Sequence, residues 1–144
     1  MIPPPAASAL ARRLQPDAIT MRVLAVEDDP DTRHFYERFL REEGHEPIIA
    51  RDGIEAMAVV EADVPPDLIM LDLGLPTIDG YELLRLLKTN PDTRDIPILI
   101  VSGRPLADGV ELSGVVGVLR KPYDLPLLSS ALRQAAAKCE ARKP

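Results

Sequence analysis

Four places in this sequence set reactive side chains just past short apolar runs. Glu27, Asp28 and Asp29 follow the run 23–26, and Asp72 follows 67–71. Ser102 follows 97–101, and Lys121 comes just past 115–119. If the runs are neighbouring strands of one sheet, their ends gather three or more carboxylates, a hydroxyl and an ammonium group on one edge. Carboxylates within ~4–6 Å repel and raise one another's pKa. At about 4 Å and an effective dielectric of about 20, each like-charged pair costs on the order of 4 kcal/mol. A hard divalent cation offsets that repulsion, and Mg²⁺ suits one or two carboxylates completed by water and a phosphoryl oxygen. Lys121 adds a further positive charge, and Ser102 can hydrogen-bond an oxygen of a group held beside Asp72. The chemistry open to such a set is phosphoryl transfer with a carboxylate as nucleophile.

A lone Asp at a strand end is more often a helix cap or a solvated residue. Asp29, directly before Pro30, is well placed to cap a helix that starts there. The cap is therefore assigned to Asp29 and the metal to Asp28. Four strand ends carrying matching chemical types set the pattern apart from coincidence.

The elements that must position these groups alternate along the chain. The strands are expected at 23–26, 47–50, 67–71, 97–101 and 115–119, each a continuous apolar run, as in a parallel sheet covered by helices on both faces. Between them, 30–43 carries Phe35, Phe39 and Leu40 on one helical face, with Gly44 as the stop. Asp52 caps a helix with Ile54, Met57, Ala58 and Val59 turned inward, ended by Pro65-Pro66. Leu83, Leu84 and Leu87 mark a helix over 80–88. A last helix over 124–138 turns Leu125, Leu128, Leu132 and Ala136 to one side. The fold class implied is α/β, a doubly wound five-stranded parallel sheet, in which ligands sit at the carboxyl ends of the strands.

Composition narrows the partners. The 144 residues suit one domain with its own core. With 17 basic and 23 acidic residues the net charge is −6, which disfavours non-specific nucleic-acid binding. Aromatics are only 3 %, with no Trp, too few for a stacking platform. The single cysteine, Cys139, excludes an intrachain disulfide scaffold and reads as a packing residue or an incidental surface thiol. Residues 1–20, with Pro3-Pro4-Pro5 and Arg12-Arg13, do not make a secretory signal and read as a flexible extension or a short appended helix. Residues 21–140 form the expected domain and 141–144 a tail. His34 and His45 are expected to be solvated, and Tyr123 lies either on an output face or in helix-start packing.

Four segments together resemble the receiver domain of two-component response regulators. They are Val23-Leu24-Ala25-Val26-Glu27-Asp28-Asp29-Pro30, Leu71-Asp72-Leu73-Gly74-Leu75-Pro76-Thr77-Ile78-Asp79-Gly80, Val101-Ser102-Gly103 and Lys121-Pro122. The resemblance covers about 21–138 and implies the flavodoxin-like strand order 2-1-3-4-5. It implies that Asp72 takes a phosphoryl group from a phosphohistidine on a sensor histidine kinase or histidine phosphotransfer protein. It implies Mg²⁺ as cofactor, bound by Asp28 directly, by Glu27 through water, by Asp72 and by the carbonyl of Gly74. Ser102 would take a phosphoryl oxygen, Lys121 would pair with the acceptor and then with the phosphoryl group, and the Lys121–Pro122 bond would be cis. The added charge would bias a two-state element read by a downstream protein. The resemblance implies a cytoplasmic switch rather than an enzyme, at most catalysing its own phosphoryl transfer and dephosphorylation, with neither nucleic acid nor membrane as direct partner.

The sequence departs from that pattern in three places. Where the family usually has Tyr or Phe three residues before the lysine, it has Val118. Only 19 positions separate Ser102 from Lys121, and the stretch 103–114 between them holds three Gly and one Pro, so the fourth helix is expected to be short, distorted or partly absent. Gly74 replaces a larger residue two after the acceptor and leaves the site open to water. The 144 residues leave no room for a separate output domain, so the expected output is protein binding or onward transfer. A second reading is a receiver-like interaction module with weak or atypical switching. A phosphatase would need a second carboxylate two residues after the nucleophile, where Gly74 stands.

Overall fold

The computed structural model describes residues 20–62, 64–110 and 112–142. Five strands, β1 (Arg22–Val26), β2 (Glu46–Ala50), β3 (Leu68–Leu71), β4 (Ile98–Ser102) and β5 (Val115–Arg120), form one parallel sheet in the order β2-β1-β3-β4-β5. Four helices accompany them: α1 (Pro30–Glu42), α2 (Gly53–Val60), α3 (Gly80–Thr89) and α4 (Leu125–Arg142). Element ends fall within a residue or so of the sequence expectation, except that α2 stops at Val60, several residues before Pro65-Pro66, and α4 runs on to Arg142. The expected extension at 1–20 lies outside the described residues apart from Thr20, and so does the end of the 141–144 tail.

The central strands β1, β3 and β4 are buried on both faces, and this is why they read as unbroken apolar runs. One face packs on α1 and α4, through Tyr36, Phe39, Leu40, Leu128, Leu132 and Ala136. The other packs on α2 and α3, through Ala56, Val60, Leu83, Leu84 and Leu87. Cys139 is buried in the first of these cores, with its Sγ 3.6 Å from the Asp67 carbonyl, a packing residue rather than a surface thiol. Asp29, Asp52 and Asp79 cap α1, α2 and α3 by accepting from the backbone N–H of Thr32, Glu55 and Tyr81.

Several expectations are corrected. Ile54 is 57 % exposed and Ala58 is exposed too, because α2 packs into the core through Ala56 and Val60. Leu125 is 54 % exposed, since α4 turns Leu128, Leu132, Ala135, Ala136 and Cys139 inward instead. His45 is buried, not solvated: its Nδ1 accepts the backbone N–H of Met21 at 3.1 Å, which satisfies the entry to β1. His34 is exposed as expected.

The weak fourth helix is reduced to nothing in the described part of its segment. Between β4 and β5, residues 103–110 and 112–114 hold turns and bends but no helix. Gly109 and Gly114 there adopt φ of +80° and +79°, backbone that a continuous helix cannot contain. Leu106 and Val110 lie over the α2/α3 core, covering part of what a helix would cover, while Val118 on β5 stays 47 % exposed. The ladder from β4 to β5 shifts between Ile98 and Leu99, and Val118 pairs with Ile100.

Candidate functional site

The carboxyl ends of β1, β3, β4 and β5 meet at one edge of the sheet, and they bring the sequence-predicted side chains together. Carboxylate oxygens of Glu27, Asp28 and Asp72 all lie within 4.8 Å of one another. Glu27 is buried, Asp72 is half-buried and Asp28 is exposed, so the cluster opens outward through Asp28. Its backbone is fixed from α1, where the Arg33 guanidinium donates to the carbonyls of Glu27 and Asp28 at 3.2 and 2.7 Å. Glu27 in turn accepts the Asp28 N–H at 3.0 Å.

Asp72 stands just past the end of β3 with both oxygens engaged. Its Oδ1 accepts the Gly74 N–H at 3.0 Å and the Ser102 hydroxyl at 3.0 Å. Its Oδ2 faces the Lys121 ammonium at 3.2 Å. Lys121 reaches across from the end of β5 and also bonds Glu27 directly. The peptide after it, Lys121–Pro122, is cis, as the resemblance implied. Tyr123 packs against the core, with its hydroxyl 3.3 Å from that of Tyr36, which is the packing alternative of the two weighed for it.

Charge is shared unevenly in this set. Burial pushes the Glu27 carboxyl up to about 7, although the Lys121 ammonium pulls the other way. Burial also acts to raise Asp72, but the Gly74 N–H and the Lys121 ammonium outweigh it and hold that carboxyl below its ordinary value. Burial acts to lower Lys121, but the two carboxylates prevail and raise it. Asp72 is thus the member of the set that is held ionised, with Lys121 as its countercharge.

The donor set fits a hard cation. Three carboxylates face one another with a single ammonium between them, an excess of negative charge at oxygen ligands, which is what Mg²⁺ prefers. Gly74 presents no side chain to the site, which leaves its backbone accessible beside Asp72.

Two residues that sequence reasoning passed over belong to the same edge. Arg104 donates its N–H to Ser102 Oγ at 3.2 Å, and its guanidinium donates to the Leu73 carbonyl at 3.3 Å and to Asp79 Oδ2 at 3.1 Å. The guanidinium carbon lies 5.6 Å from the centre of the Tyr81 ring. The Tyr81 hydroxyl donates to the Pro105 carbonyl at 2.9 Å and accepts the Ala107 N–H at 2.8 Å. The available signal was Gly74 itself: a missing side chain beside the acceptor leaves room for one from another loop, and the Arg104 Cδ lies 3.3 Å from where a Cβ on Gly74 would stand.

Comparison with known proteins gives one consistent answer. A family model described as the response regulator receiver domain matches residues 23–133. The response regulator MprA of Mycobacterium leprae is 36 % identical over 117 residues, which is 78 % of this chain and 50 % of that protein. The chain therefore spans about half the length of this relative. Among solved structures, the N-terminal domain of a response regulator receiver protein from Methanoculleus marisnigri JR1 is 34 % identical, with a TM-score of 0.65 over 78 % of this chain and 94 % of that one. The receiver domain of the sensor histidine kinase PA1611 from Pseudomonas aeruginosa PAO1, solved with magnesium coordinated in its active-site cleft, is 28 % identical, with a TM-score of 0.71 over 82 % of this chain and 98 % of that one. The sheet order, the carboxylate edge and these matches together establish that the chain belongs to the response regulator receiver domain family of two-component signalling.

Proposed function

We propose that Asp72 is a phosphoacceptor and that its modification switches the binding of another protein. The observation that carries this reading is the environment of one carboxylate. Asp72 is held from three sides by the Gly74 N–H, the Ser102 hydroxyl and the Lys121 ammonium, beside two further acids. Such fixed donors need little reorganisation when charge moves onto a phosphoryl group. A carboxylate oxygen of Asp72 attacks phosphorus, the P–N bond of a phosphohistidine breaks, and the departing imidazole takes up a proton. Lys121 then pairs with a phosphoryl oxygen, and Ser102 turns its O–H from Asp72 to another. Asp28, Asp72 and the Gly74 carbonyl would hold Mg²⁺, with Glu27 acting through water, and the ion would supply positive charge opposite the phosphoryl oxygens.

Receiver domains are signalling switches rather than enzymes that turn over a separate substrate, and the family's partners are histidine kinases and downstream effectors. The partners proposed here are a sensor histidine kinase or histidine phosphotransfer protein upstream and a protein target downstream, in the cytoplasm, without direct contact to nucleic acid or membrane. Among the described residues no helix is long and apolar enough to cross a membrane. Residues 21–140 are the proposed receiver unit, with 1–20 and 141–144 appended.

Incubation with Mg²⁺ and acetyl phosphate, followed by intact mass, tests the assignment. Wild type should gain one phosphoryl mass and Asp72→Asn none. Equal labelling of the variant would remove Asp72 from its role. A second reading, a receiver-like interaction module with weak switching, is favoured by the exposed Val118 and the absent helix in the described part of 103–114. It predicts a label that forms without changing backbone exchange anywhere.

A further inference from the structure

The described part of the segment after β4 holds no helix, yet it is not left loose. Arg104 and the Tyr81 hydroxyl tie it to the β3–α3 side of the site through five contacts. The Arg104 guanidinium is held by the Leu73 carbonyl, by Asp79 and over the Tyr81 ring. The Tyr81 hydroxyl grips the next residues through the Pro105 carbonyl and the Ala107 N–H. The Arg104 N–H ends on the same Ser102 oxygen whose hydrogen points to Asp72.

We propose that Arg104 is a charge-operated latch: with Asp72 unmodified it rests on Asp79 and Tyr81, and a phosphoryl group on Asp72 draws it inward and frees the segment that Tyr81 holds. This rests on the reading of Asp72 as phosphoacceptor. Two anions compete for one guanidinium. In the unmodified site Asp72 is already neutralised by Lys121 at 3.2 Å, so Asp79, at 3.1 Å, is the stronger claimant for Arg104. A phosphoryl group brings close to two negative charges and three acceptor oxygens against the single charge of Asp79, and it matches the guanidinium fork in geometry.

Arg104 and Asp72 meet over Gly74. The Arg104 Cδ lies 3.3 Å from the position a Cβ on Gly74 would take, and that position is 3.8 Å from Asp72 Oδ1. A side chain on residue 74 would fill this gap and hold Arg104 off. The inward path is open because Gly74 has none. Arg104 is also half-exposed, so its movement disrupts no core packing. Its backbone neighbours follow: when Ser102 turns its hydroxyl toward the phosphoryl group, the Arg104 N–H shifts with the Ser102 oxygen. Pro105 and Ala107 then leave the Tyr81 hydroxyl. Tyr81 would thus serve here in the place of the aromatic residue that Val118 lacks, from α3 instead of β5.

Hydrogen exchange on the full chain, with and without acetyl phosphate labelling in Mg²⁺, tests the latch. In wild type, labelling should speed exchange of the Ala107 amide at least about fivefold, the factor that one lost hydrogen bond represents. Tyr81→Phe keeps the ring beneath the guanidinium but removes both hydroxyl contacts. Its Ala107 amide should exchange fast without label, and labelling should add nothing. In Arg104→Ala, compared with wild type at equal phosphoryl content by intact mass, the labelling-dependent change at 106–110 should disappear. A labelled wild type with no change at Ala107, or an Arg104→Ala variant that keeps the full wild-type response, would overturn the latch while leaving Asp72 as acceptor. A wild type that takes no label at all would overturn both.

Discussion

Gly80 lies so close to Leu73 that a Cβ on it would stand 2.3 Å from the Leu73 Cα and 2.5 Å from the Asp72 carbonyl oxygen. Both contacts are backbone, so neither can swing aside as a side chain tip would. The same two segments are joined by the Gly80 N–H donating to the Leu73 carbonyl at 3.1 Å. Gly80 therefore lets the start of α3 press against the loop that carries the acceptor. Gly80→Ala should destabilise the protein by about 3 kcal/mol, at the upper end of overpacking costs, read from the midpoint of urea denaturation. It should also lower the extent of acetyl phosphate labelling, because relief of the clash displaces the backbone at Asp72. An unchanged midpoint would show that α3 can shift without cost.

Asp79 ties α3 to the site in a second way. Its Oδ1 accepts the Tyr81 N–H at 2.8 Å, and its Oδ2 pairs with Arg104 at 3.1 Å. The Tyr81 N–H first, and then the Arg104 guanidinium, hold its carboxyl below the ordinary value of 3.8. A lowered carboxyl binds fewer protons in the folded chain than in the unfolded one. Its contribution is therefore present above the unfolded value and lost as pH falls through the folded one. Asp79→Ala should cost about 1 kcal/mol as a lost N-cap. Thermal melts should show that gap constant between about pH 5 and pH 8 and shrinking below about pH 4. A gap that persists undiminished in acid would mean the cap does not depend on the ionised carboxylate.

Much of this was legible in the sequence, for a definite reason. The strands β1, β3 and β4 are buried on both faces, so they appear as unbroken apolar runs whatever lies around them. The first polar residue after each of these runs then marks the functional edge and places Glu27, Asp72 and Ser102; Lys121 stands one position further on, after Arg120 and directly before Pro122. Residues whose setting depends on a neighbour's shape could not. Ile54 and Leu125 are apolar but face out, because α2 approaches the sheet through Ala56 and Val60 and α4 through Leu128 and Leu132. His45 is polar but faces in, because one backbone N–H, that of Met21, needs an acceptor. The Tyr81–Arg104 pairing joins the first turn of α3 to the segment after β4, and no periodicity along the chain records it.

The carboxylate edge should bind Mg²⁺ through Asp28. This residue is the exposed member of the three acids, so its side chain supplies the open approach to the cluster. Added Mg²⁺ should raise the melting temperature of wild type, since a ligand that binds only the folded state stabilises it by mass action. Asp28→Asn keeps the shape and removes one charge. Its Mg²⁺ affinity by titration calorimetry should fall at least about tenfold, a usual effect of losing one supporting carboxylate. Its metal-free stability should hold or rise, because one like-charged neighbour of Asp72 is gone. Wild-type affinity in Asp28→Asn would mean that the ion sits elsewhere.

Val118 should be a bystander in the switch. It occupies the β5 position where a ring would ordinarily respond to the acceptor, pairs in register with Ile100, and stands 47 % exposed. Valine fills space but offers no hydroxyl to a partner and no ring to turn into the gap behind Ser102. The parts able to respond are Ser102 itself and the glycine-rich segment after it, anchored by Arg104 and Tyr81. Each ordered residue there costs ~1–2 kcal/mol in backbone entropy. The phosphoryl contacts can therefore change the order of only a few residues, close to the site. Labelling-dependent changes in hydrogen exchange should fall within 102–114 and spare 117–119. Val118→Ala should keep that pattern, with labelling on Asp72 unaltered. Changes centred on 117–119, or their loss in Val118→Ala, would return the switch to β5 and away from the segment that Arg104 and Tyr81 hold.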